Sequence, residues 1–239
     1  MIDLDDISFE NFLDENFSIV EDDNTETKKE KSQNIFPILP VKNMVMFPKV
    51  VIPITAGREK SIKLLEEAHK EGQLIGILSQ KSSNIENPSE KDLFTIGTIA
   101  KILKIIKLPD GNVSAITRGI QRLKVKNFIK SDSYFTAEIE KLKDTHTKKK
   151  DEFDALVDNI KDLSIKIIEL DPNIPSAANF AIRNIEGQED LLNFICTNAN
   201  FSTVNKQKLL EEKSLLKRAE LCYTFLHDDF RKLELRNQI

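Results

Sequence analysis

The sequence contains no tryptophan, only two cysteines and only seven glycines among its 239 residues. Cys196 and Cys222 form neither a CxxC pair nor a disulfide framework, which favours a reducing compartment. The glycines form no GxxxxGK[ST] or GxGxxG motif, so no phosphate-binding loop is predicted. No apolar run approaches the ~18 residues of a membrane span, and the first residues do not resemble a signal peptide. The sequence therefore predicts a cytoplasmic protein that binds no membrane.

Histidine is equally scarce, and no catalytic or metal-ligating arrangement emerges. His69, His146 and His227 are isolated, without HExxH or another ligand spacing. Lys60 and Ser61 are adjacent on a predicted helix, where neighbouring side chains do not face each other, so they do not form a nucleophile and its base. The sequence predicts no catalytic site, no cofactor and no metal in this chain.

Acidic residues are concentrated at the start of the chain. Residues 1 to 34 contain eleven acids and three lysines, whereas the remainder has 32 basic and 28 acidic residues. The segment lacks hydrophobic periodicity, which predicts a disordered acidic tail. Phe9, Phe12, Leu13 and Phe17 lie among the acids and offer an alternative, in which a short part folds against a partner. The net charge of -4 argues against a nucleic-acid partner.

Residues 35 to 143 show mainly β patterns. Apolar and alternating runs predict strands at 36–41, 50–55, 74–78, 96–108, 113–117, 123–129 and 134–140, with one helix at 58–71. The turn at 109–112 pairs two of these strands as a hairpin. In the first of them Lys101, Lys104 and Lys107 recur every third residue, which requires a bulge or a strong twist. About six strands with one helix predict a small β-barrel.

The stretch FPILPVKNMVMFPKVVIPITAGR, residues 36 to 58, combines prolines with many apolar residues. Proline cannot donate a hydrogen bond in a sheet, so Pro37, Pro40 and Pro53 are predicted at strand ends or on an unpaired edge, and Pro48 in a turn. The apolar side chains of the turn, Met44, Met46 and Phe47, then have two interpretations. They form an exposed apolar surface, or they plug the barrel and pack it against the next part of the chain.

From residue 148 to 239 the hydrophobic period becomes helical. Apolar residues at spacings of three and four predict a long helix that ends at Asp171-Pro172, followed by further helices. The last helix, from about Ser214, has a heptad seam interrupted by Asp229. The apolar members of the seam are Leu215, Ala219, Cys222, Leu226 and Leu233. They are a candidate self-association seam, or they close within a helical bundle. This helix reaches residue 239 without a stop signal, which predicts that the natural polypeptide continues.

Six motifs follow one another along the β half. They are LP at 39–40, FPKVVIPI at 47–54, GREKS at 57–61, DLFTIGTIA at 92–100, KLPDG at 107–111 and GIQRL at 119–123. Their order and spacing resemble the N-terminal domain of bacterial Lon, the ATP-dependent protease. The resemblance extends over residues 35 to 239 and is weaker in the helical half. There KLELRNQ, at 232–238, resembles the start of the long coiled-coil helix of the family.

The resemblance implies an α+β fold with a PUA-like β-barrel subdomain at 35–143 and an α-helical bundle at 148–239 that ends in a long helix. It implies recognition of unfolded, damaged or tagged proteins, in protein quality control in the cytoplasm. In the family, an ATPase module that uses ATP and Mg and a Ser-Lys protease module follow, and the enzyme assembles as a hexamer. This sequence ends before the Walker motifs and the proteolytic serine, so no catalytic residue of the family can be assigned to it.

A domain that binds many unfolded proteins needs an adaptable apolar surface, which methionine supplies well. The candidate substrate-contact residues are Met44, Met46, Phe47, Leu93 and Phe94. Two alternatives to a protease domain stay open. One is a freestanding Lon-domain adaptor or scaffold. The other is an RNA-binding module, for which Lys101, Lys104 and Lys107 form the basic cluster.

Overall fold

The computed structural model describes residues 34 to 238. All of its strands lie before residue 143, and all of its α-helices except one begin after residue 149; a 3-10 helix lies at Glu90–Asp92. The strands are β1 (Ile35–Val41), β2 (Val51–Ala56), β3 (Ile75–Ser79), β4 (Ile96–Lys107), β5 (Val113–Ile129) and β6 (Thr136–Leu142). The helices are α1 (Glu59–Glu71), α2 (Lys150–Leu170), α3 (Ala177–Asn184), α4 (Gln188–Asn198), α5 (Thr203–Glu211) and α6 (Leu215–Asn237). The predicted α+β class is confirmed. The predicted acidic tail lies outside the described residues, apart from Asn34.

The six strands form one sheet in the order β2-β5-β4-β3-β1-β6, and the sheet closes because β6 also pairs with β5. The length of β5 makes this closure possible. Its first part, Val113 to Arg118, pairs with β2, and its second part, Arg122 to Ile129, pairs with β6. β4 occupies the other edge of β5. The result is a closed barrel of five strands, extended at one end by β2.

The continuity of β5 corrects one prediction. The sequence predicts separate strands at 113–117 and 123–129, because Arg118 and Gly119 lie between two apolar runs, but the chain passes through both residues as one strand. Gly119 marks a close approach of two backbones and not a break. A Cβ atom at this position would overlap the carbonyl oxygen of Phe47.

The predicted irregularity of β4 is confirmed. Its register with β5 shifts between Ile99 and Ala100 and again between Ile102 and Lys104. The second shift leaves one residue of β4 unmatched, which reverses the alternation of the side chains after it. Lys101 and Lys104 therefore lie on the same outer side of the barrel, three residues apart.

The structure confirms only some of the positions predicted for the prolines. Pro53 lies on β2, which pairs only with β5, and Pro48 lies in a turn, as predicted. Pro37 instead lies inside β1, between β3 and β6. The Ile38 nitrogen donates to the Phe135 oxygen on the β6 side, at 2.8 Å, so the Pro37 nitrogen faces β3. Pairing with β3 begins only at Ile38, so the missing donor breaks no ladder bond.

The helices of the second half end where the sequence indicates. α2 stops at Leu170, immediately before Asp171-Pro172. The side chains of Ser202 and Ser214 cap α5 and α6, since their Oγ atoms accept from the nitrogens of residues 205 and 217 at 3.1 and 3.4 Å. Within residues 34–238, no helix has the combination of length and hydropathy needed to cross a membrane.

The heptad seam of α6 is buried by packing within the chain. Its apolar members are Leu215, Ala219, Cys222, Leu226 and Leu233, and each is at most 5% exposed. The first four belong to the interior of the bundle, where α6 packs chiefly against α2. A hydrogen bond with Cys196 and burial raise the pKa of the Cys222 thiol, which therefore stays protonated. The burial contradicts the proposed self-association seam, because these side chains have no free surface to offer a second copy.

Candidate functional site

Three of the five predicted contact residues are buried. Met46, Phe47 and Leu93 are 2%, 0% and 1% exposed. Met46 belongs to the interior of the barrel, whereas Phe47 belongs to the interior of the bundle. Met46 and Phe47 are neighbours in the chain, yet their side chains enter two different cores. The prediction of an exposed surface is wrong for these three residues. Met46 and Phe47 pack in the two cores instead, in agreement with the alternative interpretation of the turn.

Hydroxyl groups of the barrel hold this segment in place. The Oγ of Ser79 donates to the carbonyl oxygen of Met44 at 2.6 Å, and the Oγ1 of Thr98 donates to the carbonyl oxygen of Met46 at 2.6 Å. Backbone groups of a buried, irregular segment must find partners, and these hydroxyls supply them. The segment is therefore a structural part of the barrel and not a mobile loop on its surface.

Met44 and Phe94 are the predicted contact residues that keep partial exposure. Both lie beside Ser79, the last residue of β3. The Oγ of Ser79 holds Met44 on the side of β1, and its carbonyl oxygen accepts from the nitrogen of Phe94 on the side of β4, at 3.0 Å. We call Met44 and Phe94 the rim pair. The two half-buried apolar residues are thus positioned at one end of the barrel by a single buried serine.

Arg58, from the GREKS motif, braces the loop of residues 81–92 next to the rim pair. One guanidinium nitrogen donates to the Oε1 of Gln80 at 3.0 Å and to the carbonyl oxygen of Glu86 at 3.2 Å. The other donates to the carbonyl oxygen of Pro40 at 3.0 Å. Because these three acceptors lie on different segments, Arg58 joins β1, β3 and the loop at the same end of the barrel.

A buried charge cluster connects the barrel to the bundle. The Nε of Arg122, on β5, and the Nη2 of Arg218, on α6, donate to the same oxygen of Asp144, at 2.7 and 2.6 Å. The arginine side chains are 2% and 0% exposed, and that of Asp144 is 12% exposed. Arg122 also donates to the carbonyl oxygen of Leu210, and Arg218 to that of Glu212. We call Arg122, Asp144 and Arg218 the joint cluster.

Two buried guanidinium groups therefore share one carboxylate. Burial lowers the pKa of Arg122, and the carboxylate of Asp144 opposes this by favouring the charged form. Arginine remains charged under all ordinary conditions, so the cluster depends on Asp144 and on the backbone carbonyls for compensation. No pattern in the sequence predicts this cluster. The only signal available was the presence of Arg122 in the GIQRL motif.

Two adjoining clefts run along the junction beside the joint cluster. Their volumes are about 320 and 370 Å³, and both are lined by His146 and Glu189. Lys49 lies at the first cleft and forms ion pairs with Asp190 at 3.1 Å and Glu189 at 3.8 Å. Ile120 is 43% exposed at the same cleft. Among residues 34–238 no group of three or more His, Cys, Asp or Glu side chains could hold a metal ion.

Comparisons with known proteins agree with this architecture. Residues 35–228 match the family described as the ATP-dependent protease La (LON) substrate-binding domain. The Lon protease of Flavobacterium johnsoniae is 43% identical over 219 residues, which cover 91% of this chain and 27% of that protein. The Lon protease of Cytophaga hutchinsonii is 38% identical over 222 residues, which cover 92% of this chain and 27% of that protein.

Solved structures show the same fold at low sequence identity. The N-terminal domain of the Mycobacterium avium complex Lon protease has a TM-score of 0.62 at 18% identity, covering 81% of this chain and 98% of that chain. The Lon N-terminal domain protein from Xanthomonas campestris has a TM-score of 0.56 at 15% identity, covering 80% and 97%. The chain spans about 27% of the length of the curated relatives that it matches. The resemblance found in the sequence is confirmed, and the chain belongs to the family of Lon substrate-binding domains.

Proposed function

We propose that this chain recognises unfolded or damaged protein substrates for a Lon-type ATP-dependent protease. The observation that carries the proposal is the match of residues 35–228 to the Lon substrate-binding family. In this proposal the chain itself is not catalytic. ATP, Mg and the Ser-Lys chemistry belong to other modules of a longer polypeptide, which assembles as a homo-oligomer and serves protein quality control in the cytoplasm.

The rim pair is the proposed contact for these substrates. Unfolded proteins expose apolar segments, and an unbranched methionine can adapt to many of them. An aromatic ring beside it adds contact area at a low cost in conformational entropy. Both side chains are already half-buried, and Ser79 holds the backbone of both residues, so little ordering of the backbone is needed when a substrate binds.

The test measures binding of a permanently unfolded model protein by fluorescence anisotropy. The full chain should bind a reduced and alkylated protein in preference to its folded form. A Met44→Ser, Phe94→Ser variant should bind about tenfold more weakly, which corresponds to a loss of ~1.4 kcal/mol of apolar contact. The purified chain should show no ATPase or peptidase turnover.

Phe180→Ser is the matched control, because Phe180 lies on α3 and is 64% exposed. This variant also removes an accessible phenylalanine, but from the bundle and not from the barrel, and binding should be unchanged. Equal affinity for the folded and unfolded proteins would contradict recognition of unfolded substrates. An equal loss in the Phe180→Ser variant would show that the rim pair is not the contact.

A further inference from the structure

One outer face of the barrel is formed by three rows of residues that run across β2, β5 and β4. The strand register aligns Val51, Arg118 and Lys101 in the first row, Pro53, Ile116 and Lys104 in the second, and Thr55, Ser114 and Ile106 in the third. The alternate residues of β5, such as Ala115 and Val113, belong to the interior of the barrel. We call these nine outward-facing residues the cationic face.

The three charges on this face are all positive. Lys101 and Lys104 are exposed and Arg118 is half-buried. None of the ion pairs within residues 34–238 involves any of the three. Lys101 and Arg118 are direct partners on adjacent strands, a position in which like charges repel. An anionic partner would relieve this repulsion.

Lys107 does not belong to the face, which corrects the predicted lysine cluster. Its Nζ lies 3.0 Å from the Oε1 of Glu66 on α1, so its charge is already compensated. Arg118, 17 residues from Lys101 in sequence, takes its place by strand pairing. The basic cluster therefore crosses two strands and does not follow a single one.

The cationic face also has an apolar component. Pro53 is exposed, Ile106 is half-buried, and Ile116 occupies the centre of the nine with 7% exposure. A complementary ligand would combine several negative charges with apolar side chains. A polyanion without apolar groups would make no contact with these apolar side chains.

The first 23 residues of the chain have this composition. They contain nine acids and no basic residue, and Phe9, Phe12 and Phe17 lie among the acids. The acids are Asp3, Asp5, Asp6, Glu10, Asp14, Glu15, Glu21, Asp22 and Asp23. We propose that residues 1–23 bind the cationic face of the same molecule. The segment would then compete with any acidic or apolar ligand for this side of the barrel.

The length of the chain permits this contact. Phe17 precedes Asn34 by 17 residues, which can span up to ~55 Å at ~3.3 Å per residue. A domain of this size has a radius of gyration of about 17 Å, so the segment can reach any side of the barrel. Tethering raises the local concentration of the segment to the order of millimolar, at which a few solvent-exposed ion pairs and one or two aromatic contacts suffice for binding.

Zero-length carbodiimide crosslinking of the full chain, with peptide mapping by mass spectrometry, tests the contact. Acids of residues 1–23 should crosslink to Lys101 and Lys104 in preference to Lys124 and Lys126, which are exposed elsewhere on β5. Raising the salt from about 50 to 500 mM should lower the yield at least about fivefold, because exposed charges are screened. Equal yields at all four lysines would overturn the proposal.

In a mixture of 14N- and 15N-labelled chains, crosslinks that join the two isotopes would overturn the intramolecular contact in favour of a second copy.

Protease protection supplies a second readout that needs no lysine acceptor. Glu-C protease should cleave after Glu10 and Glu15 about fivefold faster in a Lys101→Gln, Lys104→Gln, Arg118→Gln variant than in the wild type, since binding of the segment limits access. A Lys124→Gln, Lys126→Gln variant should match the wild type. Identical cleavage in all three proteins would contradict the proposal. The proposal would also be contradicted if the protease cleaved the segment freely while the cationic face bound single-stranded RNA with a steep salt dependence.

Discussion

Gly97 and Gly119 lie inside strands of the barrel, whereas none of the helices α2 to α6 contains a glycine. A Cβ atom at these glycines would overlap the carbonyl oxygens of Ile77 and Phe47. The geometry of the barrel thus depends on close approach between backbones, while that of the bundle depends on apolar side chains at helical spacing. The connection between them combines apolar contacts, such as that of Phe47 in the interior of the bundle, with the buried charges of the joint cluster. The three regions should therefore respond to different kinds of substitution.

The largest effect is expected at the joint cluster. Asp144→Ala leaves the guanidinium groups of Arg122 and Arg218 buried without a carboxylate, and the free energy of unfolding should fall by about 3–5 kcal/mol. Urea denaturation followed by circular dichroism measures this loss. Loss of the transition altogether would also agree with the prediction.

Asp190→Ala is the matched control, because Asp190 forms an ion pair with Lys49 but its side chain is 47% exposed. This substitution should cost less than about 1 kcal/mol, the usual value of an exposed pair. If the two aspartate substitutions cost the same, burial of the joint cluster would not matter for stability, and the barrel and bundle would be held together by their apolar contacts alone.

The next effect is expected in the bundle. Leu226→Ala removes a side chain that is 3% exposed in the seam of α6, and should cost about 2–4 kcal/mol through lost contacts and a cavity. Leu235→Ala, on the same helix but 63% exposed, should change stability by less than about 0.5 kcal/mol. The difference between the two midpoints in urea measures how strongly the seam stabilises the bundle. Equal midpoints would show that the seam does not pack as described.

The seam could be predicted from the sequence because helical periodicity places Leu226 and its relatives on one face. The same kind of argument gave most strands, since apolar runs and alternation indicate them directly. The joint cluster could not be predicted in this way. Arg122 and Asp144 are 22 residues apart and Arg218 is a further 74 residues along, so no local pattern relates them. Charged side chains usually lie at a solvated surface, and these three are buried where the bundle packs against the barrel.

Phe47 shows a second limit of local patterns. It follows Met46 in an irregular segment that includes positive φ angles at Asn43 and Lys49, so no period assigns its direction. A Met-Phe cluster bounded by prolines is compatible with an exposed surface or with a plug, and the sequence does not distinguish them. The deciding factor is the proximity of two cores, which exists only after the barrel and the bundle have packed together.

The barrel should be sensitive to a single added methyl group. Gly119→Ala places a Cβ against the carbonyl oxygen of Phe47 and should lower the free energy of unfolding by about 1–3 kcal/mol, because two backbone segments must separate. Gly57→Ala is the control, since the nearest atom to its added Cβ belongs to the side chain of Asn112, which can rotate away. Its cost should be a few tenths of a kcal/mol. If the two substitutions lowered the free energy of unfolding by comparable amounts, close approach of the backbones would not determine the geometry of the barrel.

The smallest effect concerns Asp229, the acidic interruption of the seam. Burial raises the pKa of this carboxyl; Lys232 opposes the shift and Asp228 adds to it. Because the folded chain holds this proton more tightly than the unfolded one, stability falls as the pH rises from the ordinary value near 4 through the raised pKa. Asp229→Asn should therefore stabilise the protein by a few tenths of a kcal/mol at pH 7, a value reduced by partial exposure, and by nothing near pH 3. Thermal unfolding at both pH values measures the difference. An equal gain in stability at pH 3 and pH 7 would mean that the seam responds to the shape of this side chain and not to its charge. The stability of the bundle, like that of the barrel, would then depend on steric fit.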